Sequence, residues 1–276
     1  YNGPIKPYAK RVANSLGASF FVLNEQFQTA RIISTGKNQF SIDVIGMRGN
    51  SIEDDLKLRD FTINAFALSL SDTNFGDLLD PFNGLQDLEN KIIRTPLEPD
   101  KTYSDDPLRM LRAIRFSTQL GFKIEDESFD AIKENAKRLE IISQERITDE
   151  LNKIILADQP SRGFKLLFDT QLLHEFFPEM IALLGIETID GKSHKDNFYH
   201  TLEVLDNVAG MSDSLWLRWA AIMHDIAKPP TKKFDNEIGW TFHGHEVVGM
   251  RMVAKIFKQL KLPLNEHMKY VEKLVL

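Results

Sequence analysis

The chain contains no cysteine in 276 residues, which excludes disulfides and thiolate metal sites and fits a reducing compartment such as the cytoplasm. It also has no apolar run approaching the length of a membrane span, so no membrane partner is expected. A basic excess is missing too: 34 Lys and Arg stand against 40 Asp and Glu, a formal net charge of -6 at pH 7. This excludes a uniformly basic nucleic-acid-binding surface but leaves room for a local basic groove. Hydrophobic residues make up 42% and charged residues 27%, the balance of a folded globular chain rather than a disordered one. The first residue is Tyr1 and the last ones read as mid-helix, so the chain is expected to be an internal part of a longer protein.

Hydrophobic periodicity divides the chain into a mixed front and a helical remainder. Lys6 to Leu16 has helical spacing and stops at Gly17. Ser19 to Leu23, Ala30 to Ser34 and Phe40 to Ile45 read as strands, the last by strict alternation. Leu56 to Leu70 reads as a helix, Asp80-Pro81-Phe82-Asn83-Gly84 as a turn and Leu88 to Arg94 as a short strand. From Pro107 onward the pattern is helical, with Leu108, Leu111 and Ile114 on one stripe and Arg109, Arg112 and Arg115 on the next. Later helices are predicted at 128–138, 145–156, 163–172, 199–209, 215–228, 245–260 and from 265 onward. The predicted class is α+β: a β-sheet head over 1–93, a helical neck over 94–160 and a helical body over 161–276.

Two segments carry chemistry. In Asp105-Asp106-Pro107-Leu108-Arg109, an acceptor-only carboxylate and a donor-only guanidinium lie three residues apart at a helix start. Cytosine and adenine each set an amino donor beside a ring-nitrogen acceptor, so one such pair fits both. Uracil and guanine have the opposite polarity and would leave buried groups unpaired, at roughly 1–3 kcal/mol each. The plainer reading is that Asp106 caps the helix and Arg109 is solvated. The second segment is Leu58-Arg59-Asp60-Phe61-Thr62-Ile63-Asn64-Ala65, where Arg59 suits a phosphate and Asp60 and Asn64 suit sugar hydroxyls. Here the alternative is an amphipathic helix with a polar outer face.

Together these segments resemble the tRNA nucleotidyltransferase/poly(A) polymerase family, whose bacterial-type members add CCA to tRNA 3′ ends, over nearly the whole chain. The resemblance implies that Asp106 and Arg109 template the incoming base, and that Arg59, Asp60 and Asn64, with Arg112, contact the nucleotide. Leu58 replaces the first of two arginines in the family's Arg-Arg-Asp-Phe-Thr motif, so one phosphate contact is lost or moved. Asp105 replaces the glutamate of its Glu-Asp-x-x-Arg motif. Asp80 to Leu88 resembles a linker motif between head and neck, and Glu145-Arg146 with Glu150 resembles a helix that braces the base-reading one. Nucleotidyl transfer in the family uses carboxylate-held Mg²⁺, from a Gly-Gly loop and an Asp-x-Asp strand that do not occur in these 276 residues; Asp43 matches the third carboxylate.

The order His200, His224-Asp225, His243 and His245 resembles the HD superfamily, named for a His-Asp metal pair. It implies a second divalent, transition-metal site at His200, His224 and Asp225, with Lys228 and His245 as phosphate contacts. The expected activity is untemplated addition of C and A from CTP and ATP to the tRNA 3′ end. The alternatives are A-only or CC-only addition, poly(A) synthesis, an HD-type metal-dependent phosphohydrolase, or a tRNA-binding module without catalysis.

Overall fold

A computed structural model describes residues 3–25, 28–34 and 39–276. It divides into two units, residues 1–59 and 60–276. In the first, helix α1 (Ile5–Ser15) sets Ile5, Ala9 and Ala13 at helical spacing on one face. These pack on Ala30, Ile32 and Val44 of an antiparallel sheet with strands β1 (Ser19–Asn24), β2 (Thr29–Ser34) and β3 (Phe40–Ile45) in sequence order. Helix α2 (Ile52–Leu56) follows, capped by the Ser51 side chain, which accepts from the Asp54 N–H at 3.1 Å.

The long helix expected over 56–70 does not form. After α2 the chain is extended at Phe61, makes one 3-10 turn at Thr62–Asn64, and enters a hairpin of β4 (Ala67–Leu68) and β5 (Leu78–Leu79). The polar residues that looked like a helix surface bond elsewhere. Asp60 accepts from the N–H of Phe61 at 2.9 Å, Thr62 Oγ1 donates to Asp87 at 2.7 Å, and the Thr62 N–H donates to the Arg94 carbonyl. Residues 84–90 form α3 (Gly84–Asn90), so the strand expected from 88 shrinks to β6 (Ile92–Ile93). Asp80 caps α3 by accepting from the N–H groups of Gly84 and Leu85. A Cβ on Gly84 would lie 2.2 Å from the Thr62 carbonyl oxygen, so only glycine fits there.

The rest of the second unit is helical around one continuous core, and 54% of the described residues are helical and 13% are in strands, an α+β fold. Helix α4 (Pro99–Asp105) leads into α5 (Leu108–Leu120), which buries Leu108, Leu111 and Ile114 and ends at Gly121, where φ is +71°. Strand β7 (Lys123–Ile124) pairs in parallel with β6. Helices α6 (Asp126–Asn135), α7 (Gln144–Ile155), α8 (Pro160–Asp169), α9 (Leu172–Phe176) and α10 (Pro178–Ile181) follow. Next come a hairpin of β8 (Thr188–Ile189) and β9 (Lys192–Ser193), then α11 (Asn197–Ala209) and α12 (Leu215–Met223). After α13 (Lys228–Thr231) and the hairpin of β10 (Lys233–Asp235) and β11 (Gly239–Thr241), the chain closes with α14 (His245–Gln259) and α15 (Glu266–Val275). The helix expected over 215–228 thus ends at Met223, and that expected over 163–172 starts earlier and breaks after Asp169.

A buried arginine joins α12 to the ends of α7 and α11. Arg218 is 2% exposed, and its Nη1 donates to the carbonyls of Ile155 and Ala157, both at 2.8 Å. Its Nε donates to the Ser212 carbonyl at 3.0 Å and its Nη2 to the Ala209 carbonyl at 3.3 Å. One guanidinium therefore satisfies carbonyls at the C-terminal ends of both α7 and α11, where the helix dipoles favour positive charge.

Helix α8 packs closely on α5 and α7 through Gly163. A Cβ there would meet Ile154 Cγ2 at 2.4 Å and Thr118 Oγ1 at 2.8 Å. Gly163→Ala is expected to destabilise the fold by about 1–3 kcal/mol through overpacking, lowering the midpoint of thermal unfolding. An unchanged midpoint would contradict this contact.

Candidate active site

The second unit brings Asp60, Asn64 and Arg112 together. Asp60 Oδ2 accepts from Arg112 Nε at 2.8 Å and Nη2 at 2.6 Å, while Oδ1 accepts from Asn64 Nδ2 at 3.3 Å. The carboxylate is buried and the arginine about one-third exposed. Asp60 and Asn64 meet through the 3-10 turn rather than the helical face expected for them. Arg112 also lies over the Phe116 ring, 5.4 Å from its centroid, and Phe116 packs edge-on against buried Phe61.

Asp106 sits between α4 and α5 in extended conformation, and Arg109 occupies the first turn of α5. One Asp106 oxygen accepts from the Leu108 N–H at 3.3 Å, a capping contact, while the other lies 3.8 Å from Arg146 Nη2. On the next turn, Arg115 Nε donates to Glu150 at 2.6 Å, and Lys153 pairs with the other Glu150 oxygen at 2.8 Å. Glu150 is almost fully buried, so α7 holds α5 through a desolvated charge pair. Asp87, which lies in the segment read as a linker motif with no role of its own, is buried and binds both Thr62 and Arg94.

The first unit carries Asp43 and Arg59 on separate partners. Asp43 lies opposite Arg31 in the β2–β3 register, and its two oxygens accept from Arg31 Nε at 2.6 Å and Nη2 at 2.8 Å. The Arg31 hydrogen bonds hold its carboxyl below the ordinary value. Each oxygen keeps a second lone pair outside that contact. Arg59 is bound to Asp55, its Nε at 3.0 Å and its Nη2 at 2.6 Å.

A second constellation lies at the end of α12. His224 caps that helix, Asp225 follows it, and His200 approaches from α11. One ligand atom from each of these three lies within 4.8 Å of the others. Asp225 is 3% exposed. Its Oδ2 is surrounded by Lys228 Nζ at 2.7 Å, His224 Nε2 at 3.2 Å and His200 Nε2 at 3.9 Å, yet no donor is aligned on it among the described residues. His245 Nε2 is 3.8 Å from the other oxygen. His224 Nδ1 faces the Ala221 carbonyl at 2.7 Å, and His245 Nδ1 the Phe242 carbonyl at 2.9 Å. These carbonyls favour the Nδ1–H tautomer and leave Nε2 as the lone-pair nitrogen.

Burial alone would raise the Asp225 carboxyl, but the short contacts and charges of His224 and Lys228 prevail and lower it to about 2. For His224, burial opposes the charged form, but Asp225 and the Ala221 carbonyl outweigh it and raise the imidazole above its ordinary value. A buried, ionised carboxylate with imidazole nitrogens of His200 and His224 within 4.8 Å fits a divalent transition metal. A cleft of about 420 Å³ opens beside His200 and Lys228, lined also by Lys195, Trp240 and Phe242. The β8–β9 and β10–β11 hairpins wall it, joined by Lys192 Nζ to the Asn236 and Glu237 carbonyls and by Trp240 Nε1 to the Lys192 carbonyl. Of the other histidines, His194 packs edge-on against Trp240 and His267 stacks on Trp216.

Residues 13–94 match the poly A polymerase head domain, residues 121–184 the probable RNA and SrmB-binding site of polymerase A, and residues 197–276 the HD domain. The A-adding tRNA nucleotidyltransferase of Deinococcus radiodurans is 35% identical over 263 residues, covering 92% of this chain and 58% of that protein. The chain thus spans under two thirds of the length of this relative. Among solved structures, the Bacillus stearothermophilus CCA-adding enzyme in complex with CTP is 25% identical with a TM-score of 0.63, over 92% of this chain and 55% of that one. An apo tRNA-processing enzyme is 22% identical with a TM-score of 0.69, over 99% and 66%. With these domains in this order and a relative 35% identical over 92% of this chain, the chain belongs to the tRNA nucleotidyltransferase/poly(A) polymerase family.

Proposed function

We propose that this protein extends the 3′ end of tRNA without a nucleic-acid template, using CTP and ATP. The observation that carries the proposal is the Asp106–Arg109 turn at the head of α5, whose arginine row is fixed by Asp60 and Glu150. Asp106 accepts from the exocyclic amine of cytosine or adenine, and Arg109 donates to the adjacent ring nitrogen. Arg112, clamped by Asp60, keeps α5 in register with the segment bearing Asn64, which contacts the ribose. Preorganised groups of this kind select a base because the wrong edge leaves a donor or acceptor unpaired. Mg²⁺ supplies activation of the primer hydroxyl and neutralisation of the triphosphate in this chemistry. Asp43, now paired with Arg31, would be one of the carboxylates that hold it. A second reading, addition of A alone, is favoured by the 35% identical A-adding relative.

At the body end, His200, His224 and Asp225 would hold a divalent transition metal, and Lys228 and His245 flank it as phosphate contacts. Such an ion supplies Lewis-acid polarisation of a phosphoryl group. A phosphohydrolase activity there is the reading from a different class.

In the natural protein, Arg109→Ala should reduce use of CTP and ATP together by roughly 10²-fold or more, because a lost charged hydrogen bond also misplaces the base. Unchanged rates and base preferences would make the Asp106–Arg109 turn a helix cap and nothing more. For the body site, titration calorimetry with Zn²⁺ or Mn²⁺ gives a test with a defined sign. His224 holds its proton to higher pH than an ordinary histidine, and only its neutral form binds metal. Affinity should therefore fall as pH drops from roughly 8 to 6, while Asp225 stays ionised. His224→Ala should weaken binding by at least about tenfold. Binding that is independent of both pH and His224 would place the ion elsewhere.

A further inference from the structure

Helix α14 carries a row of cations that the fold leaves unanswered. Arg251, Lys255 and Lys258 stand at i, i+4 and i+7, one stripe of an α-helix, and Lys261 follows just past the helix end. The buried residues of α14, Gly249, Val253, Ile256 and Phe257, lie on the opposite side, so the stripe faces away from the core. All four cations are exposed, and among the described residues none is paired with a carboxylate. Residues 245–276 hold six lysines and arginines against three glutamates, a local charge of +3 in a chain whose formal net charge is -6.

Stability does not call for this row. Like charges at i, i+4 repel and weaken a helix, and no acidic residue stands three or four positions from Arg251, Lys255 or Lys258. The helix dipole accounts for Lys258 and Lys261 at the C-terminal end but not for Arg251 and Lys255 in the middle. Lys261 has a φ of +55°, a left-handed conformation that favours glycine, yet a lysine stands there.

The chemistry of the stripe points to a nucleic-acid backbone. From Arg251 to Lys258 it spans about 10 Å at 1.5 Å per residue, the run of a few successive phosphates on one strand. Its exposed side chains include no aromatic ring, whereas surfaces for single strands stack bases on such rings. A membrane-surface helix would set exposed Trp, Phe or Leu beside its cations; α14 buries Val253, Ile256 and Phe257 in the core instead. The C-terminal end of α14 is also tied to α7. The Leu260 carbonyl accepts from Thr148 Oγ1, and two residues before Thr148 stands Arg146, whose guanidinium lies 3.8 Å from Asp106. The stripe and the Asp106–Arg109 turn therefore belong to one packed group of helices.

We propose that Arg251, Lys255, Lys258 and Lys261 form a phosphate-tracking surface for the double-stranded arm of the substrate tRNA. The identity of the RNA rests on the transfer reading above. Phosphate contacts carry no sequence information, so the stripe adds affinity common to all tRNAs and takes no part in choosing the base.

Binding of a tRNA lacking its terminal residues to the natural protein, measured by filter retention over a series of salt concentrations, tests this. Arg251→Glu combined with Lys255→Glu should weaken binding by about tenfold or more and lower the slope of log affinity against log salt by about two, while ATP affinity stays at the wild-type value. Arg251→Gln combined with Lys255→Gln should give a smaller loss in the same direction without lowering the midpoint of thermal unfolding, since it removes repulsion within α14. A short RNA duplex should lose affinity by a similar factor, and a single strand of the same length by less. Wild-type tRNA affinity and salt slope in both variants would overturn the surface and leave the transfer reading standing. Loss of binding to phosphatidylserine–phosphatidylcholine vesicles with tRNA binding unchanged would assign the stripe to a membrane and overturn the proposal as well. A wild-type protein that binds tRNA through the stripe but incorporates no nucleotide would keep the surface and overturn the transfer reading.

Discussion

The second unit depends on how helix α5 accommodates a row of cations next to the core. Its apolar stripe, Leu108, Leu111 and Ile114, is fully committed to packing. The adjacent arginines flank that core, and buried carboxylates from distant parts of the chain meet them: Asp60 at Arg112 and Glu150 at Arg115. Removing one partner of such a pair leaves a buried charge uncompensated, at several kcal/mol, so the pairs fix the rotation of α5 strongly. The position of the Asp106–Arg109 turn at its head follows from that rotation. On the proposed function, base selection is accordingly a property of the helix's anchorage as much as of the two residues that would touch the base.

The body end is built by the same logic with different groups. Arg218 binds carbonyls at the ends of α7 and α11, and Trp219 donates to Asn152 of α7 at 2.9 Å. These contacts fix α12 against α7 and α11 and so determine where its C-terminal residues, His224 and Asp225, emerge. Asp225 then concentrates one buried negative charge among His200, His224, His245 and Lys228. Both halves of the second unit thus use single buried charges to orient several partners.

Much of this was legible in the sequence because it depends on local spacing. The period-two alternation of 40–45, the stripe of α5 and the adjacency of His224 and Asp225 are all short-range patterns. What escaped depends on distant partners. Residues 58–68 carry polar side chains at helix-like intervals, but Asp60, Thr62 and Asn64 bond to Arg112, to Asp87 and to one another, which breaks the helix. Asp55 and Arg218 look like surface charges until the fold buries them, and no periodicity records the partners, tens of residues away, that hold Arg218.

The central claim, that a single acceptor-plus-donor turn on α5 chooses the base, is tested most directly by competing the four nucleoside triphosphates for incorporation into a tRNA lacking its terminal residues, using the unmodified natural protein. The account predicts that ATP, with or without CTP, is used at least roughly 10²-fold faster than GTP and UTP, since each wrong base leaves more than one buried polar group unpaired. Comparable use of all four would contradict it.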